Sequence, residues 1–582
     1  MIEEGTRIIM ADGQIKDIAD VTVNSYVMCE DGSSSRVTSV SKDVQTVYNV
    51  TQRTRHRAYE GEPGRIDPLR RQIYQRLEIN CTATHRLNLR TLTKPTLENS
   101  FKRNHYVVKW KRMHNVTTID GRVISIPKIH HKDFLMTPEG EVAAKLFLTQ
   151  LQEEFGPQFN YNLELRDIDY LSTQICQTTM LHYTPLLTGN GILSEFLTGQ
   201  KHLITPYTLS MAWLLGLWLG DGTTKKPEIS VDSIDTNLMH SLIQLGSLWG
   251  LDAVYKECPV PLRAKHVRLY YGKGSPKERK FRKDNIFWNI LLDLRFKRED
   301  DGVKQIPEFM WTEDVEIREA LLAGLIDSDG YVMKTTPNSD IFIVSIPTIY
   351  PSIMEGIVNI ARSLGMTATV TTKSAKQNVI ENRQIQCKFA YECTISGKTS
   401  LQNVLSYCRS GLKHREPPEE VIRNPVYFGF NIEPSSQKNT VGLAIEDNKQ
   451  ILLENKICIP VCTKQCEKEQ PKLTVTKNLK QCIACPRKGV RYFYKDWTGD
   501  HRVCARCHGR YKFSGHRCLN CKYVPEAREV RKAVAKGPKA IVSPDGIVVR
   551  GLECIRCSGI LVFDEIRGPK KINASPNPIM AI

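Results

Sequence analysis

The first 185 residues alternate short apolar runs, rich in β-branched side chains, with polar turn residues. The segments TRIIMADGQIKDI, SYVMCEDGSSSRVTSV and TVYNVTQRT show this pattern, which is typical of short strands joined by hairpin turns. A basic stretch that contains Pro and Gly, residues 53–71, interrupts it. The pattern therefore predicts a strand-rich domain over residues 1–185 with one insert.

A weak internal repeat begins near residue 203, where helical and strand-like patterns follow each other. The segment SMAWLLGLWLGDG (210–222) precedes a strand-like EISVDS and a helical LMHSLIQLGSLWGL. The segment REALLAGLIDSDG (318–330) precedes a strand-like IFIVSIP and a helical IMEGIVNIARSLGM in the same order. This repeat predicts one pseudo-symmetric domain made of two halves over residues 203–416. Residues 417–461 return to short strands.

Positive charge is concentrated at one end of the chain. The formal charge of the chain is +18. Its length of 582 residues indicates two to four domains, and a hydrophobic content of 41% indicates a globular protein. Residues 462–582 contain 25 Lys and Arg against 10 Asp and Glu, so +15 of that charge lies there. A basic tail of this kind indicates a nucleic-acid partner. The basic stretch 53–71 has two interpretations, a DNA-recognition insert or a solvated loop.

The chain shows no membrane or export signal. No run of 18 apolar residues occurs, and the opening MIEEGTRIIM is acidic where a secretory leader would be basic and then apolar. We therefore expect no membrane partner and a place in the reducing interior of the cell.

Ten of the 18 cysteines fall in five close pairs after residue 461. In a reducing compartment such pairs indicate metal rather than disulfides, and four thiolates suit a structural zinc ion. Two zinc sites are predicted, with the ligands Cys482, Cys485, Cys504 and Cys507 in the first and Cys518, Cys521, Cys554 and Cys557 in the second. The fifth pair, Cys462 and Cys466, has no obvious partner pair. His501, His508 or His516 could complete it, although each is more often a surface histidine. The eight remaining cysteines are scattered singly and are interpreted as small buried apolar residues.

Two carboxylates end the repeated segments. In LLGLWLGDG and LAGLIDSDG apolar residues surround the helix on nearly all sides, and Gly216, Gly220 and Gly324 permit two such helices to pack closely. Asp221 and Asp329 should then project from the helix ends into one site. Two carboxylates that close repel unless a divalent cation lies between them, and oxygen ligands suit Mg²⁺. Ordinary Asp-Gly turns after buried helices are the alternative, and the second copy argues against it.

The repeated segments resemble the motif of the LAGLIDADG homing endonucleases, from which the second copy departs only at Ser328. The resemblance implies that the two helices form the interface between two αββαββα halves. It also implies that Asp221 and Asp329 bind the catalytic metal, whereas Asp327 is not implied as a ligand.

Two lysines follow from the same resemblance. The DGVK-x-IP motif of single-chain, intein-borne nucleases matches residues 301–307, which gives Lys304. The segment after NVLS-x-C contains SGLKHR, which gives Lys413 in the second half. A lysine there would neutralise a developing phosphate charge or hold the attacking water. The alternative for each is a solvated surface lysine.

The strand-rich ends resemble the Hint fold of inteins, here split by the nuclease domain. The segment GTRIIMADGQIKDI looks like the start of an intein, and TATH (82–85) looks like its internal T-x-x-H block. Splicing requires Cys or Ser at the first residue, where Met1 stands, and a terminal His-Asn pair, which PV (460–461) replaces. We therefore predict that splicing is absent and that Thr82 and His85 are relics with a structural role.

Together these features predict a multidomain α+β protein. A β-rich Hint-like domain (1–185 and 417–461) is split by a LAGLIDADG endonuclease domain (203–416) and followed by a zinc-binding tail (462–582), whose first part resembles a GATA-type finger. The order of the parts resembles the free-standing, intein-derived endonucleases of mating-type switching. This implies Mg²⁺-dependent, site-specific cleavage of double-stranded DNA at the mating-type locus, in the nucleus, by a monomer with internal pseudo-two-fold symmetry.

Two other functions remain open from the sequence. The first is a zinc-finger DNA-binding regulator with an inactive nuclease scaffold. The second is an RNA-splicing maturase, against which the intein-like flanks and the finger tail argue.

Overall fold

The computed structural model describes residues 1–53, 77–101, 104–118, 120–155, 158–232, 235–256, 264–271, 285–336, 339, 341–373, 375–380, 383–447, 449–461, 482, 484–485, 493–495, 502–542 and 548–563. The chain divides into two compact units, Met1–Gln470 and Pro471–Ile582. Within these described ranges, no helix has the length and apolar character needed to cross a bilayer.

Strands dominate the beginning and the end of the first unit. The described residues before position 200 form β1 (Ile2–Glu3), β2 (Arg7–Ile9), β3 (Ile15–Asp17), β4 (Tyr26–Met28), β5 (Ser34–Gln52), β6 (Glu78–Thr82), β7 (Arg86–Leu92), β8 (Thr96–Ser100), β9 (His105–Thr117), β10 (Val123–Leu135), α1 (Pro138–Glu154), β11 (Gln158–Glu164), α2 (Thr173–Thr178), β12 (Thr179–Tyr183) and α3 (Ile192–Thr198). Short 3₁₀ helices lie at Ile18–Asp20, Leu165–Tyr170 and Glu308–Thr312.

Helices and strands mix in the middle of the unit. They are α4 (Pro206–Asp221), β13 (Glu228–Asp232), α5 (Thr236–Leu248), β14 (Leu251–Lys256), β15 (Ala264–Tyr271), α6 (Ile286–Asp293), α7 (Val315–Asp329), β16 (Tyr331–Lys334), β17 (Phe342–Thr348), α8 (Pro351–Ser363), β18 (Thr367–Lys373), β19 (Lys376–Ile380), β20 (Arg383–Cys387), β21 (Ala390–Ser396) and α9 (Lys398–Ser406). The unit ends with β22 (Val426–Phe428), β23 (Phe430–Ile445), β24 (Gln450–Leu452) and β25 (Cys458–Pro460).

Strands from both ends of the first unit share one sheet. Its order is β23-β1-β6-β5-β4, and β23 also pairs antiparallel with β5 from Phe430 opposite Gln52 to Ile445 opposite Val37. Apolar side chains such as Val37, Ile79 and Leu443 fill the core behind this sheet. The segments before and after the middle domain therefore fold as one β-rich body.

A small layer of strands and one helix extends from this body. Strands β8, β9 and β10 form an antiparallel sheet, and α1 lies against it through Val108, Ala144 and Leu151. Thr137 caps the start of this helix, because its hydroxyl accepts a hydrogen bond from the backbone N–H of Gly140. The sequence analysis did not predict this helix.

The middle domain consists of two halves that begin with α4 and α7. The second half has the sheet β16-β17-β21-β18 and the helices α8 and α9, so it follows the expected αββαββα order with the extra hairpin β19–β20. The first half shows three paired strands, β13-β15-β14, among its described residues. In the second half, strand β16 directly follows α7. At the corresponding place in the first half, the described residues after α4 form only an isolated bridge between Gly222 and Ile229.

The second unit contains β26 (Phe493–Lys495), β27 (Arg502–Cys504), α10 (Ala505–Ser514), β28 (His516–Cys518), α11 (Ala527–Lys536), β29 (Lys539–Val542), β30 (Val548–Glu553) and β31 (Ile560–Phe563). Its two small cores are built around cysteines, with Val503 and Val524 in the first and Ala533 and Leu561 in the second. So few apolar side chains provide little hydrophobic stabilisation. The α+β class predicted from the sequence is confirmed across both units.

Candidate active site

Helices α4 and α7 lie against each other with almost no space between their backbones. A Cβ atom on Gly216 would lie 2.0 Å from the carbonyl oxygen of Leu321, and one on Gly324 would lie 2.0 Å from that of Trp213. No side chain larger than hydrogen fits at either position without moving a backbone. The sequence therefore permits this helix contact only because both positions are glycine.

Local hydrogen bonds fix the ends of the two helices. Helix α4 starts with a reciprocal pair of bonds, in which the Thr208 N–H donates to Thr205 Oγ1 (3.2 Å) and the Thr205 N–H donates to Thr208 Oγ1 (2.8 Å). At the other end the N–H groups of Gly222 and Gly330 close the last turns, and the chain leaves both helices in an extended conformation.

Asp221 and Asp329 are the last residues of α4 and α7, and they share one site. Asp329 Oδ2 lies 2.9 Å from the position of a Cβ atom on Gly220, so it reaches the end of the opposite helix. Burial, and then the charge of Asp329, raise the pKa of Asp221 to about 6. Burial also raises the pKa of Asp329. Both carboxylates are therefore held in a place where their negative charge is unfavourable until a cation offsets it.

Each predicted lysine lies at the C-terminal end of one helix. Lys304 Nζ donates over 2.8–3.1 Å to the carbonyl oxygens of Trp218, Leu219 and Gly220. Lys413 Nζ donates over 2.7–3.1 Å to those of Ile326, Asp327 and Ser328. The ammonium groups thus occupy the ends where the helix dipole favours a cation.

Neither lysine is a solvated surface residue. Lys304 is 3% exposed, and burial lowers its pKa to about 8, against the opposing charges of Asp329 and Asp221. Burial also lowers the pKa of Lys413. The surface interpretation given as the alternative is therefore wrong for Lys304, because the side chain folds back onto the helix end.

Asp327 holds the segment that contains Lys413. Its Oδ2 accepts hydrogen bonds from the Arg409 N–H (2.6 Å) and the Trp213 indole N–H (2.8 Å), and its Oδ1 accepts one from the Ser410 N–H (3.3 Å). A carboxylate so occupied is directed into the protein, which agrees with the expectation that Asp327 is not a metal ligand.

The sequence reasoning missed this anchoring role, although a signal for it was present. The repeat places Leu219 in α4 at the position of Asp327 in α7. A polar residue in one copy and an apolar one in the other indicates a contact that only one half makes. The two halves therefore hold their lysines by different means.

An open cavity of about 430 Å³ adjoins Asp329 and the end of α4. Its lining includes Gly220, Lys304, Asp329, Thr348 and Tyr350. The ends of α4 and α7 are therefore accessible from this cavity. Two acids, two ammonium groups and open space form an arrangement suited to a divalent cation and a phosphodiester.

The intein-like residues lie together at the start of the chain. The Met1 ammonium donates to Thr82 Oγ1 (3.0 Å), and the Thr82 N–H donates to the Met1 carbonyl oxygen (3.0 Å). His85 is buried, its Nε2 has no partner among the described residues, and burial followed by the positive N-terminus holds its pKa well below the usual range. The ring is therefore neutral, and Met1 brings no nucleophile to it.

The eight tail cysteines predicted as zinc ligands form two groups of four, with all sulfurs of a group within 4.8 Å of one another. The Sγ–Sγ distances are 3.8 Å for Cys485 and Cys504, 3.5 Å for Cys518 and Cys557, and 3.9 Å for Cys521 and Cys554. A tetrahedral zinc ion with bonds of about 2.3 Å separates its sulfurs by about 3.8 Å, whereas a disulfide requires about 2 Å. The spacing fits zinc.

Some predicted features lie outside the described residues. They are the basic stretch after Arg53, the pair Cys462 and Cys466, His501, and the finger-like residues 497 and 499. Two histidines weighed as zinc ligands are described. His516 Nδ1 contacts the Ser514 carbonyl oxygen, and neither His508 nor His516 belongs to a group of possible metal ligands in the described part of the tail.

Comparison with known proteins gives relatives along the whole chain. The family model described as Hom_end-associated Hint matches residues 1–459. The homothallic switching endonuclease of Saccharomyces cerevisiae is 56% identical over 575 residues, which cover 98% of this chain and 98% of that protein. The ATP-dependent DNA helicase Hel308 of Thermococcus kodakarensis is 23% identical over 264 residues, or 45% of this chain and 22% of that protein.

Solved structures of the homing endonuclease I-DmoI also match. Mesophilic variants of I-DmoI are 16% identical with a TM-score of 0.23, over 37% of this chain and 96% of theirs. I-DmoI in complex with DNA and Ca is 16% identical with a TM-score of 0.22, over the same shares.

Proposed function

The chain belongs to the family of Hint proteins associated with homing endonucleases and is an endonuclease, and we propose that it cuts both strands of DNA at a long target in the mating-type locus and so initiates mating-type switching. The relative that supports the locus is the homothallic switching endonuclease. The observation that supports the chemistry is the group of Asp221, Asp329, Lys304 and Lys413 at the ends of two glycine-packed helices.

Asp221 and Asp329 would hold the divalent cation. Their oxygens are hard donors, and they come from two helices that the glycines hold together. Burial raises the pKa of both carboxyls, so a cation between them would offset an unfavourable negative charge. These properties favour Mg²⁺. A bound divalent cation would supply a lowered pKa for attacking water and charge stabilisation for the leaving 3′ oxygen.

Lys304 and Lys413 would act on the phosphate through their charge. All three N–H donors of each ammonium are engaged by helix carbonyls, so neither has a hydrogen left for the substrate in this arrangement. The same bonds fix both helix ends and with them the two aspartates. Each lysine therefore positions its helix end and contributes positive potential where negative charge develops on the phosphate.

The pseudo-symmetry suits a double-stranded substrate, because one half of the domain is available for each strand. A monomer suffices for such a reaction. The tail adds +15 of net charge, and α11 exposes Arg528, Arg531, Lys532 and Lys536. These cations suit sequence-independent contacts to phosphates, which would hold the enzyme on chromosomal DNA in the nucleus.

Zinc would have a structural role in the tail. The two Cys₄ groups leave no open ligand position for water, and the apolar cores around them are small. Backbone N–H groups donate to the sulfurs, for example that of Cys504 to Cys482 Sγ (3.2 Å), which favours thiolates. Two zinc ions would thus replace a hydrophobic core.

The β-rich domain would contribute structure and no splicing. The thiol or hydroxyl that attacks in splicing is replaced by the Met1 side chain, and the Met1 amine is engaged by Thr82. Val461, which directly follows β25, stands where an asparagine would have to cyclise. An unprocessed chain of full mass after expression is the expected result.

A plasmid that bears the mating-type target tests the function. Purified protein should convert it from supercoiled to linear form with Mg²⁺ and leave it intact with EDTA, while a plasmid without the target stays uncut. Light scattering of the protein should give the mass of one chain. Target binding with no cutting at any divalent cation would instead support the DNA-binding regulator.

A further inference from the structure

A third group of side chains that could hold a metal ion belongs to the β-rich domain and shares no residue with the nuclease site or the two Cys₄ groups. One donor atom each from Glu30, His182 and Cys458 lies within 4.8 Å of the other two. We propose that these three residues form a zinc site that joins the two parts of the split β-rich domain.

The fold itself brings the three residues together. Glu30 follows β4, and its N–H donates to the Gln450 carbonyl oxygen (3.0 Å) in β24. Cys458 begins β25 opposite Leu452 in β24. His182 lies in β12, and the residue after it, Tyr183, forms a β-bridge with Ile457. The site is thus formed by strand pairing between segments that precede and follow the nuclease domain.

The donor set selects zinc over magnesium. An imidazole nitrogen, a thiolate sulfur and a carboxylate oxygen are the three ligand types that Zn²⁺ takes in proteins, and sulfur excludes Mg²⁺. Three protein ligands leave a fourth position for water. The site therefore differs in kind from the Cys₄ groups of the tail and from the oxygen site between α4 and α7.

A bound cation would offset the unfavourable charge of the thiolate in this group. Burial, and then the charge of Glu30, raise the pKa of the Cys458 thiol to about 12, so the thiolate becomes favourable only with a cation beside it, and the Thr184 hydroxyl, 3.0 Å from Cys458 Sγ, can donate a hydrogen bond to it. Burial, and then Arg90, lower the pKa of His182 to about 4, so the ring is a neutral ligand at pH 7. A carboxylate and a thiolate that repel each other become favourable when a cation lies between them.

Among the residues that the structure describes, no side-chain hydrogen bond of the acid or the imidazole explains the group as a polar cluster. Across the described part of the chain, neither the Glu30 carboxylate nor the His182 ring makes a hydrogen bond to another side chain. Cys458 is 2% exposed, while Glu30 is half-buried, so the site has one open side through which an ion can enter.

Zinc content of the full-length protein tests the site. After dialysis against zinc and then metal-free buffer, His182→Ala and Cys458→Ser should each hold one zinc ion fewer per chain than the wild type. The double variant should also lose one ion and not two, because both residues would serve the same ion. Cys176→Ser, a half-buried cysteine of the same domain outside the group, should keep the wild-type content.

A milder variant keeps the test decisive if a buried substitution disturbs folding. Glu30→Gln changes a half-buried side chain in a turn, and it should weaken binding of the most weakly held zinc more than about tenfold in a chelator competition, with unchanged circular dichroism. Wild-type zinc content in both His182→Ala and Cys458→Ser, or unchanged affinity in Glu30→Gln, would overturn the proposal. These measurements use no DNA, so their outcome is independent of the nuclease function.

Discussion

Replacing Asp221 by Asn should stabilise the metal-free protein at neutral pH, even though it removes a proposed metal ligand. The pKa of this carboxyl is raised from 3.8 to about 6, so the folded chain favours the protonated form. A shift of about two units corresponds to about 3 kcal/mol of unfolding free energy. The penalty is absent below about pH 4, grows as the pH rises towards 6, and is complete above it. Asparagine cannot ionise and escapes the penalty.

Urea unfolding in EDTA, measured between pH 4 and 8, tests this reasoning. Tryptophan fluorescence reports on the relevant helices, because Trp213 and Trp218 are buried within α4. The wild type should lose stability between pH 4 and 6, whereas Asp221→Asn should lose about 3 kcal/mol less over that interval. The exposed Asp169→Asn serves as the matched control and should follow the wild type. Added Mg²⁺ should stabilise the wild type and leave Asp221→Asn unchanged. Equal stability of wild type and Asp221→Asn at pH 7.5 would refute the argument.

Three further predictions concern the tail and the helix pair. Removal of residues 462–582 should weaken DNA binding and flatten the dependence of log K on log[salt], because +15 of the net charge is lost; an identical slope would mean that the tail makes few phosphate contacts. Cys485→Ser should remove one zinc ion and reduce target affinity, with no rescue by Mg²⁺, and full zinc content in this variant would show that the cysteines are wrongly grouped. Gly324→Ala should cost about 3 kcal/mol or more, since its Cβ would lie 2.0 Å from the Trp213 carbonyl oxygen. Gly509→Ala, where a Cβ would meet nothing within 4 Å, is its control, and equal urea midpoints would contradict the packing argument.

The sequence alone predicted those parts of the site that repeat or that follow a fixed spacing. Two copies of a glycine-containing apolar helix with a final aspartate predicted the helix pair, and CxxC spacing predicted the four sulfurs of each tail group. Such patterns are local, so a single sequence displays them. The two lysines came from family resemblance, because nothing in a lone lysine indicates that it will fold back onto a helix end.

The remaining features depend on contacts between distant segments. Cys458 is buried, as the sequence predicted. Its neighbours Glu30 and His182 are hundreds of residues away in the chain and lie beside it only because of strand pairing, so the sequence did not indicate this group. In the sequence Asp327 is one more residue of the motif, and its anchoring role depends on the N–H groups of Arg409 and Ser410, which lie 82 and 83 residues further along the chain. Helix α1 was missed because its exposed side chains give only a weak apolar stripe.

We propose that Asp221 and Asp329 form one metal-dependent cutting site between the halves. Its most direct test is cleavage of a plasmid with the mating-type target by the wild type, Asp221→Asn and Asp329→Asn at saturating Mg²⁺, with target binding measured in parallel by electrophoretic shift. Each variant should bind the target as the wild type does and produce no linear DNA. Linear product at the wild-type rate from either variant would contradict the account.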